Sequence, residues 1–276
     1  MGNLIQASEL HTHLSDERLV IIDTRFNLQD VQAGQKAYAE GHIPNAFYLD
    51  LDKDLSGPKA EHGGRHPLPD IDALAKKLES IGVSSKSNVV IYDDEANMYA
   101  GRLWWLLRYM GLEDVKVLDG GFSSWVAGHF PITRDVPEAK PAKFKPRLQY
   151  HMLVDKDYVK RRMGNPNVVL VDARAAERYR GENETLDPKA GHIPGAINKP
   201  FVENLEGNHF KDSKALAERF ADIPKNKEVI LYCGSGVSAN HNLIALEEAG
   251  FKHIKLYAGS WSDWVSYAEN PVETGE

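Results

Sequence analysis

Two tandem α/β domains, each a parallel sheet flanked by helices, are predicted for this chain by three observations. The sequence repeats itself in order, strand-like runs alternate with amphipathic stretches in both copies, and those runs lack polar alternation. The repeat is the strongest of the three. Val20-Ile21-Ile22-Asp23-Thr24-Arg25 returns as Val169-Leu170-Val171-Asp172-Ala173-Arg174, and Gly41-His42-Ile43-Pro44 returns as Gly191-His192-Ile193-Pro194. Val89-Val90-Ile91-Tyr92 pairs with Val229-Ile230-Leu231-Tyr232, and Gly120-Gly121-Phe122-Ser123-Ser124-Trp125 with Gly259-Ser260-Trp261-Ser262-Asp263-Trp264. The offset of about 140 to 150 residues is too long for a solenoid and fits a duplicated domain. A chain of 276 residues accommodates two such domains.

In the first copy, residues 1–132, the β-branched and apolar runs predict strands at Val20–Asp23, Ala46–Leu49, Val89–Tyr92 and Val115–Leu118. The amphipathic stretches between them predict helices near 70–81, 99–110 and 122–128. Residues 133–150 carry Pro137, Pro141 and Pro146 among charged residues without apolar periodicity, which reads as a stiff extended linker. In the second copy, residues 151–276, strands are expected at Val168–Asp172, Ala196–Asn198, Val229–Tyr232 and Ile254–Tyr257. Helices are expected near 155–163, 213–221, 238–249 and 261–268. Continuous apolar runs such as Val168-Val169-Leu170-Val171 suit strands covered on both faces, hence parallel sheets between helix layers.

Composition narrows the function classes. Hydrophobic residues at 42% and charged residues at 26% describe a soluble globular protein, and a single cysteine excludes a disulfide scaffold. Forty acidic against thirty-three basic residues give a net charge of −7, a poor footprint for nucleic acid. No apolar run approaches the ~18 residues of a membrane span. The N-terminal MGNLIQASEL lacks the pattern of a secretory leader. A cytoplasmic location without membrane partners is the expectation.

A lone cysteine in such a chain is ordinarily a small buried hydrophobe. Cys233, however, directly follows the strand Val229–Tyr232 and precedes Gly234-Ser235-Gly236-Val237-Ser238, which leads into a helix. Carboxyl ends of parallel strands are where open α/β sheets place ligands. Two glycines let successive N–H groups turn inward toward an anion, and a helix N-terminus adds partial positive charge. That environment favours thiolate over thiol. A Cys-x5-Arg phosphatase requires arginine at position 239, which is alanine. A cysteine hydrolase needs a histidine base, for which His241 and His42 are available. A non-catalytic anion-binding regulatory module is the alternative outside enzymology. A thiolate ringed by amides also suits a persulfide.

These residues together resemble the two-domain sulfurtransferases that include rhodanese and 3-mercaptopyruvate sulfurtransferase. The resemblance rests on Asp23-Thr24-Arg25 and Asp172-Ala173-Arg174, both Gly-His-Ile-Pro segments, Cys233-Gly-Ser-Gly-Val-Ser-Ala239 and Ala258-Gly259-Ser260-Trp261, and it spans nearly the whole chain. It implies two rhodanese-like domains with Cys233 as the persulfide nucleophile and the amides of Gly234, Ser235, Gly236, Val237 and Ser238 around it. It implies a small-molecule sulfur donor, 3-mercaptopyruvate or thiosulfate. The acceptor is a thiol, such as thioredoxin or a small thiol, or cyanide; no metal or organic cofactor is implied. Asp93 stands where Cys233 stands in the other copy, and a carboxylate cannot carry persulfide sulfur, so the first domain is expected to be catalytically silent.

Arg178 matches the family's substrate-binding arginine, with Arg180 as the near alternative. Mercaptopyruvate-specific relatives carry a second arginine before the second Gly-His-Ile-Pro, where this chain offers only Lys189. Their proposed Ser–His–Asp arrangement maps onto Ser235, His42 and Asp30. Gly63-Gly64-Arg65-His66 has no counterpart in the second copy, which makes Arg65 and His66 candidates to line the site. The uncharged Gly234-Ser235-Gly236 resembles the mercaptopyruvate type, because thiosulfate-type relatives place Arg and Lys directly after the cysteine.

Overall fold

The computed structural model describes residues 2–276. These fall into two compact units. The first unit holds the chain through Gly57, Pro69–Gln149 and Gly207–His209; the second holds Pro58–Leu68, Tyr150–Glu206 and Phe210–Glu276.

The first sheet is built from β1 (Leu4–Ile5), β2 (Leu19–Asp23), β3 (Ala46–Tyr48), β4 (Asn88–Tyr92) and β5 (Val115–Leu118), in the order β1-β5-β4-β2-β3. The second contains β6 (Leu153–Val154), β7 (Val168–Asp172) and β8 (Ile197–Asn198). A short hairpin, β9 (Leu205–Glu206) and β10 (His209–Phe210), precedes its last two strands, β11 (Glu228–Tyr232) and β12 (Ile254–Tyr257). Its order, β6-β12-β11-β7-β8, repeats that of the first sheet. All strand pairs described in the two sheets are parallel. The fold is the predicted one. Central strands β4 and β11 are buried at every position but the first, because helices cover both faces. Asp70, Asp155 and Asp212 start three of those helices by accepting the N–H of Ala73, Tyr158 and Ala215.

The duplicated motifs hold each unit together. Arg25 forks onto Asp23 (Nη2–Oδ2 2.6 Å) and donates to Gly41 O (2.7 Å). Arg174 repeats this on Asp172 and Gly191 O, both at 2.6 Å. Strand end and Gly-His-Ile-Pro turn are thereby tied by one buried guanidinium in each copy.

Two features differ from a simple division at residues 133–150. The proline-rich stretch lies along the first unit, with the N–H groups of Ala142, Arg147 and Gln149 donating to the carbonyls of Glu79, Met110 and Tyr109. Phe144 is buried there, so the extended segment groups with the first unit. The copies also exchange segments: Pro58–Leu68 groups with the second unit and Gly207–His209 with the first.

Candidate active site

Cys233 follows the last residue of β11 and is almost fully buried. Its loop reaches the helix Ala239–Glu248, and Gly236 makes the turn at φ 75°. A Cβ at Gly236 would lie 2.1 Å from Ala258 O, so only glycine fits. Asn240 Nδ2 donates to the carbonyls of Gly236 and Val237, both at 2.9 Å, holding those carbonyls toward the helix. The N–H groups of Ser235, Gly236 and Ala239 and the Ser238 hydroxyl then serve the sulfur. Burial pushes the Cys233 thiol up, but these donors outweigh it and leave it below the ordinary thiol range. Ser260 Oγ accepts the Cys233 N–H (3.0 Å) and lies 4.0 Å from Sγ.

The first unit shows what the same turn does with a carboxylate. Asp93, at the end of β4, accepts four N–H groups, from Glu95, Asn97, Tyr99 and Ala100, at 2.7–2.9 Å. Burial outweighs these bonds and raises its pKa to about 6. The carboxylate fills its own amide cradle and leaves no sulfur nucleophile there.

Two arginines flank Gly234. A Cβ at Gly234 would lie 2.9 Å from Arg65 Nη2 and 3.3 Å from Arg178 Nη1. Arg178 uses Nε and Nη2 on Glu184 and Nη2 on Asp187 Oδ2 (3.1 Å), which turns Nη1 toward the loop. Arg65 spends Nη1 on Asp187 Oδ1, which turns Nη2 the same way. Burial pushes the Glu184 carboxyl up, but the Leu186 N–H and the Arg178 guanidinium hold it below its usual range. Arg65 is delivered by the exchanged segment, which docks through Gly63 N–H on Asp263 Oδ1 (2.7 Å) and Arg65 N–H on Ser262 Oγ (3.0 Å). Gly64 packs so closely that a Cβ there would lie 2.5 Å from Gly259 O.

The same segment brings His66 Nδ1 to 2.8 Å from Ser235 Oγ, and this corrects the expected Ser235–His42–Asp30 set. His42 is buried in the first unit, stacked on Tyr38, with Nδ1 at Tyr38 O and Nε2 at Asp135 O. Its twin His192 occupies the same seat on Tyr179, which marks both as parts of the Gly-His-Ile-Pro scaffold. Asp30 is exposed, caps Gln32 N–H and faces Lys36.

Arg180 turns outward and forks onto Glu182, and Lys189 accepts the Trp261 indole N–H on its carbonyl; among the described residues neither side chain bonds to the cysteine loop. His241 is a buried neutral imidazole, pushed to about 3 by burial, with Nδ1 facing Asn204 Nδ2 and its ring stacked on Phe210. Sequence reasoning missed Glu184, Asp187, Asn240 and Ser260. For the two acids the only available signal was their place between Arg178 and the Gly-His-Ile-Pro turn. Among the described residues no group of three or more His, Cys, Asp or Glu is placed to hold a metal, and no helix is long and apolar enough to cross a membrane.

The rhodanese-like domain matches this sequence twice, over residues 6–128 and 155–267. The chain belongs to the rhodanese-like family. It is 42% identical to a probable 3-mercaptopyruvate sulfurtransferase of Pseudomonas aeruginosa, over 100% of this chain and 99% of the relative. The thiosulfate sulfurtransferase of Azotobacter vinelandii is 30% identical over 98% of this chain and 96% of its own. The crystal structure of the Escherichia coli 3-mercaptopyruvate sulfotransferase SseA superposes with a TM-score of 0.85 at 30% identity, covering 95% of this chain and 100% of that one. The two matched spans account for the paired architecture.

Proposed function

We propose that this chain is a sulfurtransferase that carries sulfane sulfur on Cys233, taking it from 3-mercaptopyruvate in preference to thiosulfate and passing it to a thiol or cyanide. The observation that carries this reading is the pairing of a buried, amide-ringed thiol with two guanidinium N–H groups turned toward Gly234. The full-length relatives named as 3-mercaptopyruvate and thiosulfate sulfurtransferases support the same chemistry.

In the first half-reaction the Cys233 thiolate attacks the donor sulfur. A sulfur–sulfur bond forms, the donor's carbon–sulfur bond breaks, and its electron pair leaves on the pyruvate enolate. The donor's thiol proton ends on that enolate, giving pyruvate. Ser235, hydrogen-bonded to His66, is the group suited to stabilise the enolate oxygen and hand on the proton. Arg178 Nη1 and Arg65 Nη2 hold the donor carboxylate. In the second half-reaction the acceptor attacks the outer sulfur, and the sulfur–sulfur electrons return to Cys233 as thiolate. The amides that stabilise the thiolate are also placed to stabilise negative charge on the persulfide.

Donor preference follows from the uncharged loop, since Gly234 and Ser235 bring no cation to a thiosulfate dianion. The test is kcat/KM for each donor with cyanide as common acceptor. A higher value for 3-mercaptopyruvate supports the assignment. A higher value for thiosulfate overturns the preference, and no transfer from either donor overturns the proposed function.

A further inference from the structure

Both arginines at Gly234 are anchored to one side chain. Asp187 offers Oδ1 to Arg65 Nη1 and Oδ2 to Arg178 Nη2, and its side chain is only 2% exposed. It stands in a buried cluster in which three guanidiniums, Arg65, Arg174 and Arg178, meet three carboxylates, Asp172, Glu184 and Asp187. The cluster presents oriented N–H donors to the loop without presenting net positive charge. We infer that Asp187 is the specificity-determining residue of this site, cancelling the charge of the arginine pair so that a carboxylate monoanion is favoured over a dianionic sulfur donor.

This deepens the proposed function and rests on it. A monoanionic carboxylate matches a pair of aligned N–H groups and needs little further field. Thiosulfate carries twice the charge and gains twice as much from any net positive potential. Asp187 cancels one guanidinium charge while fixing where Nη1 of Arg178 and Nη2 of Arg65 point. Replacing it by asparagine preserves shape and leaves one uncompensated positive charge a few ångströms from the bound donor. At an effective dielectric near 20, one charge at that range discriminates between donors by more than about tenfold before screening.

The experiment compares wild type, Asp187→Asn, Asp187→Glu and Arg65→Gln by kcat/KM for thiosulfate and for 3-mercaptopyruvate, with cyanide as acceptor, at low and high ionic strength. Asp187→Asn is expected to raise the thiosulfate-to-mercaptopyruvate ratio at least about tenfold at low salt, and the gain should shrink as salt screens it. Asp187→Glu restores the ratio toward wild type. Arg65→Gln removes a positive charge and moves the ratio the opposite way, so the proposal stays testable if Asp187→Asn folds poorly. A merely structural role for Asp187 lowers both donors together and leaves the ratio unchanged. That outcome overturns the inference while leaving the sulfurtransferase reading intact. Absence of transfer in wild type overturns both.

Discussion

Cys233 is where burial and hydrogen bonding oppose each other, and the outcome sets its reactivity. Burial alone favours the neutral thiol, yet three amides and the Ser238 hydroxyl face the sulfur and bring its pKa below the ordinary thiol range. The thiolate fraction therefore rises at a lower pH than in a free cysteine. Because the chain has one cysteine, ultraviolet thiolate absorbance followed across pH reads this group alone below the tyrosine range. The inflection is expected below about 8.5; an inflection at or above that value contradicts the amide-ring account. Cys233 stands out in the sequence through its strand-to-Gly-rich-turn context and Arg178 through the family resemblance, and the structure places Arg178 Nη1 beside Gly234 of the cysteine loop. The partner of Ser235 was not legible there. The family pattern maps onto His42, and only the path of Pro58–Leu68 into the second unit brings His66 to the serine. Asp187 and Glu184 were illegible for a related reason: a carboxylate in a polar, acidic loop looks solvated until its arginine partners are located.

The turn from β11 to the helix Ala239–Glu248 separates two glycines with different duties. Gly236 has φ 75° and faces Ala258 O, a backbone atom that cannot yield, so Gly236→Ala is expected to cost roughly 2–3 kcal/mol of stability and to disrupt the sulfur's donors. Gly234 has ordinary backbone geometry, and its added methyl would meet only the ends of Arg65 and Arg178. Gly234→Ala should therefore fold normally and raise the KM for an anionic donor by displacing both guanidiniums. Denaturant midpoints and donor kinetics for the two variants check this contrast; equal stability losses contradict it. The long buried strands and the amphipathic helices were readable because their patterns run for several residues. Edge strands β1 and β6, two residues each, carry no period to read, and the helices Ala7–Thr12, Ala33–Glu40 and Ala176–Tyr179 are short or weakly patterned.

Duplication explains the architecture, and divergence of the copies explains the assignment of one active cysteine. Both sheets share one strand order, and both keep the Asp–Arg fork and the stacked histidine of the Gly-His-Ile-Pro turn. At the end of the matching central strand, one copy fills its amide cradle with Asp93 and the other leaves a thiol there. The segment Pro58–Leu68 groups with the second unit and supplies it with Arg65 and His66. The proposed sulfur transfer requires a persulfide on Cys233 alone. Intact-mass measurement of wild type and Cys233→Ser, before and after incubation with 3-mercaptopyruvate, tests it most directly. Wild type is expected to gain one sulfur atom, lost again on adding cyanide, and Cys233→Ser to gain none. An unchanged wild-type mass, or a cyanide-labile sulfur on folded Cys233→Ser, would contradict it.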